Sequence, residues 1–405
     1  MARPRIIVAG ATTAITRRTL ERKLLWTPSA PCVHQGYLYA LALAQHRHGV
    51  LLHHGQLMPT HEHLQVTPTQ DNLPEFLRDL HRDAARYLQE LLLAQGYDAP
   101  QGIWDKRQTH CMRLLDAGAQ LAWIQYQHRN CVEAGLVDAV RHYPGWASSL
   151  AQLQGATLLI QRPDLYFSPQ RPEQIELTFS PVPDLVRAFG RDQRPLIYWL
   201  EKEHRRWESA KRAERKASGS RVLGARPLKG IHPFAEPATP REPRGQLRPT
   251  FKLGPLLDHR AFEGLSRQEV LKLCCDEKRS FERDHQESLE SCRAGKRDAL
   301  FAAGTYEMAK RHNASAQEPT PHASSPSEPA PSAPQGARPH PAEPSRSPGG
   351  VRGPATARAR TPAFETRRRT PSRPLDTDKA RHAAAGHPQA LPKLPQAGAE
   401  QPPNT

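Results

Sequence analysis

The chain of 405 residues contains no uninterrupted apolar run of about 18 residues, the length a membrane-spanning helix needs. Its start lacks the charged-then-apolar pattern of a secretory leader, so a cytoplasmic protein with no membrane partner is expected. The six cysteines, Cys32, Cys111, Cys131, Cys274, Cys275 and Cys292, show no C-x-x-C spacing. That argues against a zinc ribbon and against a secreted disulfide framework, and leaves reduced, mostly buried thiols as the expectation. Apolar residues are also scarce: 37% of the chain, with a mean hydropathy of -0.70, is little for one compact globule of this size. The deficit is concentrated at the end. The last 93 residues hold one aromatic residue, Phe364, and 19 of the 40 prolines, and cannot bury enough surface to offset chain entropy.

Three regions follow from these shifts. Residues 1–150 alternate strand and helix patterns. Residues 151–312 read as a mainly helical accessory region with a Pro-rich connector at about 232–256, and residues 313–405 as a disordered Pro-rich basic tail. The formal net charge of +16 favours polyanionic partners, because Lys and Arg displace counterions from phosphates. Residues 1–150 hold 15 Lys and Arg against 12 Asp and Glu, so most of the excess lies downstream. Arg205 and Arg206 open a basic helical run beside Trp207 that suits nucleic-acid contact. Interleaved Glu201, Glu203, Glu208 and Glu214 fit a solvated, ion-paired helix face equally well.

In the first region the pattern predicts a strand over 6–16, a helix over 37–45, strands over 50–58 and 61–67, a helix opening at Asn72 and running toward Gly96, a strand over 108–115, and a helix over 117–132 capped by Asp116. This β-α-β-β-α-β order with a final helix suits an α+β fold with a ferredoxin-like antiparallel sheet. Within it lies Met58-Pro59-Thr60-His61-Glu62-His63-Leu64. Side chains two apart on a strand point the same way, so His61 and His63 face one point and Glu62 faces the other side. On the final helix Tyr126 and Asn130, four residues apart, share a face.

Four segments occur in order: the His61 run, Gly102-Ile103-Trp104-Asp105, Asn130 through Val137, and Tyr143-Pro144-Gly145-Trp146-Ala147-Ser148-Ser149. With Ala2-Arg3-Pro4-Arg5 and Thr16-Arg17-Arg18, they make residues 1–150 resemble the single-tyrosine HUH transposases of the IS200-like superfamily, in the branch associated with repetitive extragenic palindromes. Phe301 to Tyr306 is similar, more weakly, to a C-terminal extension of larger members. The resemblance implies that His61, His63 and Asn130 hold a divalent metal, Mg²⁺ or Mn²⁺. It also implies that Tyr126 attacks a phosphodiester of single-stranded DNA, giving a 5'-phosphotyrosine and a free 3'-hydroxyl. The implied partner is a hairpin or imperfect palindrome at the nucleoid, with a homodimer as one implied assembly. Arg17 and Arg18 are candidate phosphate contacts.

Three positions depart from the family pattern. Glu62 stands where an aliphatic or aromatic residue is usual, Cys131 where a proline follows the asparagine, and Thr60 where an asparagine precedes the first histidine. A carboxylate at 62 has to reach solvent, pair with a cation, destabilise the strand or turn toward the metal. These departures keep open two other readings, a catalytically inactive or domesticated hairpin-binding protein, and a metallohydrolase that does not need Tyr126.

Overall fold

In this computed structural model the described residues are 6–316, apart from 99, 238–248, 255–261, 263, 297–298, 303–304, 306–308 and 310–311. The expected tail beyond 316, with Phe364, lies outside them, as do most of the Pro-rich connector and part of the Phe301–Tyr306 segment.

Strand β1 spans Thr13–Arg18 rather than 6–16. Gly10, at φ +79° and bonded to Pro68 O, and the Ala11-to-Val8 turn divert the chain before it can enter the sheet. Helix α1 (Pro31–His48) starts six residues earlier than its apolar pattern suggests, with Pro31 at its first turn, and stops at left-handed Gly49. It is buried on nearly all sides, His34 and Gln45 included, so no polar stripe marks its ends. Strands β2 (Leu51–Met58) and β3 (His61–Thr67) form a hairpin across Pro59-Thr60. Helix α2 (Leu73–Ala94) lays Phe76, Leu80, Ala84 and Leu88 into the core. The Asn72 side chain does not cap it; its Nδ2 donates to His48 O at 2.7 Å and ties the helix to the end of α1. A Cβ at Gly36 would meet the Tyr87 ring at 1.9 Å, so glycine lets α1 and α2 approach closely.

After β4 (His110–Leu114), Asp116 caps α3 (Ala117–Glu133), accepting from Ala119 N at 2.7 Å. Residues 151–312 contain helices α4 (Pro183–Phe189), α5 (Arg194–Ser218), α6 (Ala225–Lys229) and α7 (Arg267–Arg293). They also hold strands, which a mainly helical reading omits. β5 (Ala156–Gln161), β6 (Gln174–Phe179) and β7 (Phe251–Lys252) join the sheet, while β8 (Leu300–Phe301) pairs separately with β9 (Ser315–Ala316).

The result is an α+β arrangement around a seven-stranded mixed sheet of order β5-β6-β2-β3-β1-β4-β7. The wholly antiparallel expectation applies to the four inner strands, where β2-β3, β3-β1 and β1-β4 pair antiparallel. The outer additions β2-β6 and β4-β7 are parallel. Ile15, Leu64 and Val66 join α1 and α2 in one core cluster, while Ala14, Met112 and Leu114 pack with Ala119 and Trp123 of α3. Helix α3 therefore lies over the sheet face opposite α1 and α2. No helix among the described residues is long and apolar enough to cross a membrane.

Candidate active site

The pleat of β3 sends His61 and His63 toward α3 and Glu62 toward α1 and α2. Their rings meet edge to face, with centroids 4.6 Å apart. Across the ladder Thr16 pairs with His63 and Arg18 with His61, which puts both β1 side chains on the histidine face. An open pocket of about 240 Å³ results, lined by Thr16, Arg18, His61, His63, His110, Trp123, Tyr126 and Asn130.

Hydrogen bonds fix how each imidazole is presented. Asn130 Nδ2 donates to His61 Nε2 at 3.2 Å, so that nitrogen carries the lone pair and Nδ1–H donates to Thr60 Oγ1 at 2.8 Å. His63 Nδ1 bonds Thr16 Oγ1 at 2.9 Å, and its Nε2 is buried with no hydrogen-bond partner. Two threonines thus hold the outer nitrogens and leave both Nε2 atoms for the pocket, the arrangement that orients ligating histidines. His61 keeps an edge in solvent, yet burial, followed by repulsion from Arg18 and Arg22, lowers its pKa to about 3. His63 is lowered well below its ordinary value by burial first, then by His61, Arg18 and His110. Both are neutral near pH 7, the form that binds metals.

Tyr126 is 49% exposed and sits with its ring 5.5 Å from His63 and 5.0 Å from Trp123. Asn130 follows one helical turn later. The four residues singled out in the sequence, His61, His63, Tyr126 and Asn130, therefore share one pocket. Among the described residues no three His, Cys, Asp or Glu side chains gather as a metal site, and the Asn130 amide, bonded to His61, stands where the resemblance implies a third donor. A half-turn of that amide offers Oδ1 in place of Nδ2. Two neutral imidazoles, one with an orphaned buried nitrogen, and one carboxamide fit a divalent ion that keeps open positions.

The basic candidates separate. Arg18 lines the pocket. Arg17, its neighbour in the pleat, is paired across the ladder with Glu62 and donates to Thr109 Oγ1 at 2.7 Å instead. Arg205 and Arg206 lie on exposed α5, at 3.6 Å from Glu201 and 2.7 Å from Glu203, and neither lines the pocket. Trp207 packs inward, stacked on His204 and covered by the Arg129 guanidinium at 4.8 Å.

The departures find physical explanations. Glu62 is fully buried, accepting from Tyr37 OH at 2.7 Å and closely paired with His81 Nε2. His81 is itself packed on Trp104, whose Nε1 donates to the His81 carbonyl at 2.9 Å. Burial and the Glu62 charge hold the Tyr37 phenol well above its ordinary pKa. The partner is thus a histidine, and the carboxylate turns away from the metal-ligand candidates. Cys131 is buried, its thiol pushed up to about 12, and α3 continues past it to Glu133. Thr60 supplies the bond to His61.

Thr16, His110 and Trp123 are pocket residues that the sequence reading did not assign to the site. Thr16 carried a detectable signal, since it sits two residues before Arg18 in the same alternating strand. His110 could be placed only once β4 was paired with β1.

No protein-family profile matches the chain, and no curated protein sequence matches it. Among solved structures, a tyrosine transposase associated with repetitive extragenic palindromes, bound to its hairpin, is 18% identical with a TM-score of 0.30. The match covers 36% of this chain and 81% of that one. A candidate transposase from Deinococcus radiodurans is 18% identical with a TM-score of 0.23, covering 31% of this chain and 95% of that one. Overlaps of this size and score say nothing of activity, and the chemistry has to be read from the side chains.

Proposed function

We propose that the chain is a transposase-like DNA strand transferase acting on single-stranded DNA. The observation that carries this is the meeting of Tyr126 with His63 and of His61 with Asn130 in one open pocket, from segments more than sixty residues apart. The β4-β1-β3-β2 antiparallel order, with α1 and α2 on one face, supports the ferredoxin-like reading that the resemblance implies. His61, His63 and Asn130 would hold the divalent ion. When bound, it polarises the phosphate and stabilises the departing oxygen. The two imidazole nitrogens favour Mn²⁺ over Mg²⁺, which prefers an all-oxygen shell.

The Tyr126 hydroxyl oxygen attacks phosphorus, the bond from phosphorus to the 3'-oxygen breaks, and that oxygen takes up a proton as the phenol loses one. The products are a 5'-phosphotyrosine and a 3'-hydroxyl, and attack by a second 3'-hydroxyl reverses the step and rejoins DNA. Arg18 supplies positive charge to the phosphate, and Thr60 and Thr16 hold the imidazoles in the ligating tautomer. Glu62, one of the departures that keep a non-catalytic protein open, is hydrogen-bonded behind the sheet and faces away from the pocket. The hairpin or palindromic substrate and the possible homodimer follow from the sequence resemblance.

The test is incubation of the full chain with a pool of labelled single-stranded hairpin oligonucleotides and Mn²⁺ or Mg²⁺, followed by denaturing electrophoresis. A protein-linked band that is stronger with Mn²⁺ and vanishes with EDTA or Tyr126→Phe is expected. Binding of hairpins without any such band would overturn catalysis in favour of the binding protein. Hydrolysis that survives Tyr126→Phe would favour the metallohydrolase.

A further inference from the structure

The segment around β7, more than a hundred residues downstream of Tyr126, packs against two residues that line the pocket, His110 and Trp123. It lies along the β4 edge, with Arg113 N donating to Thr250 O and Leu115 N to Lys252 O, both at 2.9 Å. Its start is held by pocket-lining His110, whose Nε2 lies 2.8 Å from Pro249 O. Its end is held by Asp116, which accepts from Gly254 N at 2.9 Å while capping α3. Between these anchors, Lys252 Nζ lies 5.8 Å from the centre of the Trp123 ring. Trp123 in turn touches His63 at 5.8 Å and Tyr126 at 5.0 Å. One aromatic ring thus links the lysine to both the nucleophile and a ligand candidate.

Lys252 is half-buried, burial alone lowers its pKa, and no carboxylate pairs with it among the described residues. Two cations on β4 and β1 are engaged. Arg113 is ion-paired with Glu277, and Arg17 is bonded to Thr109. A half-buried ammonium with no anion of its own is costly to hold unless a partner arrives. The cation–π contact with Trp123 offsets only part of that cost.

We infer that Lys252 contacts a backbone phosphate of single-stranded DNA beside the phosphate presented to Tyr126, so that the β7 segment completes the substrate groove. The inference rests on the strand-transferase reading. It gives the downstream region a place at the site that no motif in the first 150 residues supplies. Lys252 acts here as a positioning residue: it binds substrate charge and takes no part in bond breaking.

The test uses the full-length chain in a Tyr126→Phe background, so that binding is read without chemistry. Binding of one fixed hairpin-tailed oligonucleotide is followed by fluorescence anisotropy over a salt series. Lys252→Met keeps the apolar stem on Trp123 but removes the charge. It should weaken binding severalfold at low salt and reduce the log–log salt slope by about 0.7, the value for one phosphate contact on a single strand. Lys252→Arg should restore both. An unchanged slope for Lys252→Met would overturn the inference and leave the strand-transferase reading intact. Equal loss in the Met and Arg variants would also overturn it, since a packing role would then explain the effect. If the parent protein binds no single-stranded DNA, the reading and the inference fall together.

Discussion

On one face of β3, Glu62 is fully buried with Tyr37 and His81 both engaged on its carboxylate. On the other face, one residue along, His63 is buried with its Nε2 unmatched. Both are polar groups taken out of water, and each alone is expensive. The difference is that the rear face closes its hydrogen bonds internally, whereas the front face leaves a lone pair aimed at a pocket with a tyrosine beside it. A buried polar group with its hydrogen bonds closed is architecture. A buried polar atom left open at a pocket wall asks for a ligand.

The contrast can be broken in descending order of effect. Tyr126→Phe should abolish the protein–DNA adduct, a fall on the order of 10,000-fold or more, while leaving hairpin affinity and thermal stability unchanged because the side chain is half-exposed. A residual adduct on denaturing gels would move the nucleophile elsewhere.

On the rear face, His81→Leu should destabilise the fold by about 1–3 kcal/mol in denaturant titration, because the buried Glu62 carboxyl loses one of its two hydrogen-bond partners. The triple exchange Glu62→Leu, His81→Leu, Tyr37→Phe removes all three polar partners together and should recover most of that loss. If the triple variant is no more stable than the single one, the pairing account is wrong. The adduct yield of the triple variant then reports whether the rear clamp also sets the strand that carries His61 and His63.

Acid should act through histidines on both faces. His34, His53 and His54 are lowered to about 4 by burial and His61 to about 3, against roughly 6.5 in the unfolded chain. As pH falls below about 6.5 the unfolded chain takes up protons that the folded chain refuses. Stability is therefore full above that value and declines toward pH 4, by up to about 1.4 kcal/mol per pH unit for each such histidine. Melting temperatures measured at pH 7.5, 6 and 5 should fall in that order, and His53→Gln should flatten the slope by one histidine's share. A flat profile would mean the rings accept protons in place.

The smallest effect is expected on α5. Arg205→Gln and Arg206→Gln each break an exposed ion pair worth at most about 1 kcal/mol, and should change adduct yield less than twofold. A tenfold loss would restore that helix face to the DNA-binding surface.

The site was more legible than the sheet that carries it. The alternation His61-Glu62-His63 and the spacing of Tyr126 from Asn130 are local, so period two and period 3.6 sufficed to place them on shared faces. The β3 range and the Asp116 cap also follow from local signals. β6 shows a clear alternation, with Ile175, Leu177 and Phe179 buried between exposed Gln174, Glu176 and Thr178. Its place beside β2 depends on a parallel crossover more than a hundred residues long, which no local pattern encodes. The Glu62 partners were hidden for the same reason, since Tyr37 and His81 belong to two different helices.

Asp116 ends one loop and begins α3, and the same carboxylate oxygen receives Ala119 N from the helix and Gly254 N from the downstream strap. A side chain at 254 has no room, as its Cβ would fall 2.7 Å from that oxygen and 2.9 Å from Ala119 N. The helix that aims Tyr126 is thus seated against a glycine written into the chain 128 residues later. A gene fragment ending near residue 150 would encode every motif of the site and still lack the peg on which the helix of Tyr126 rests.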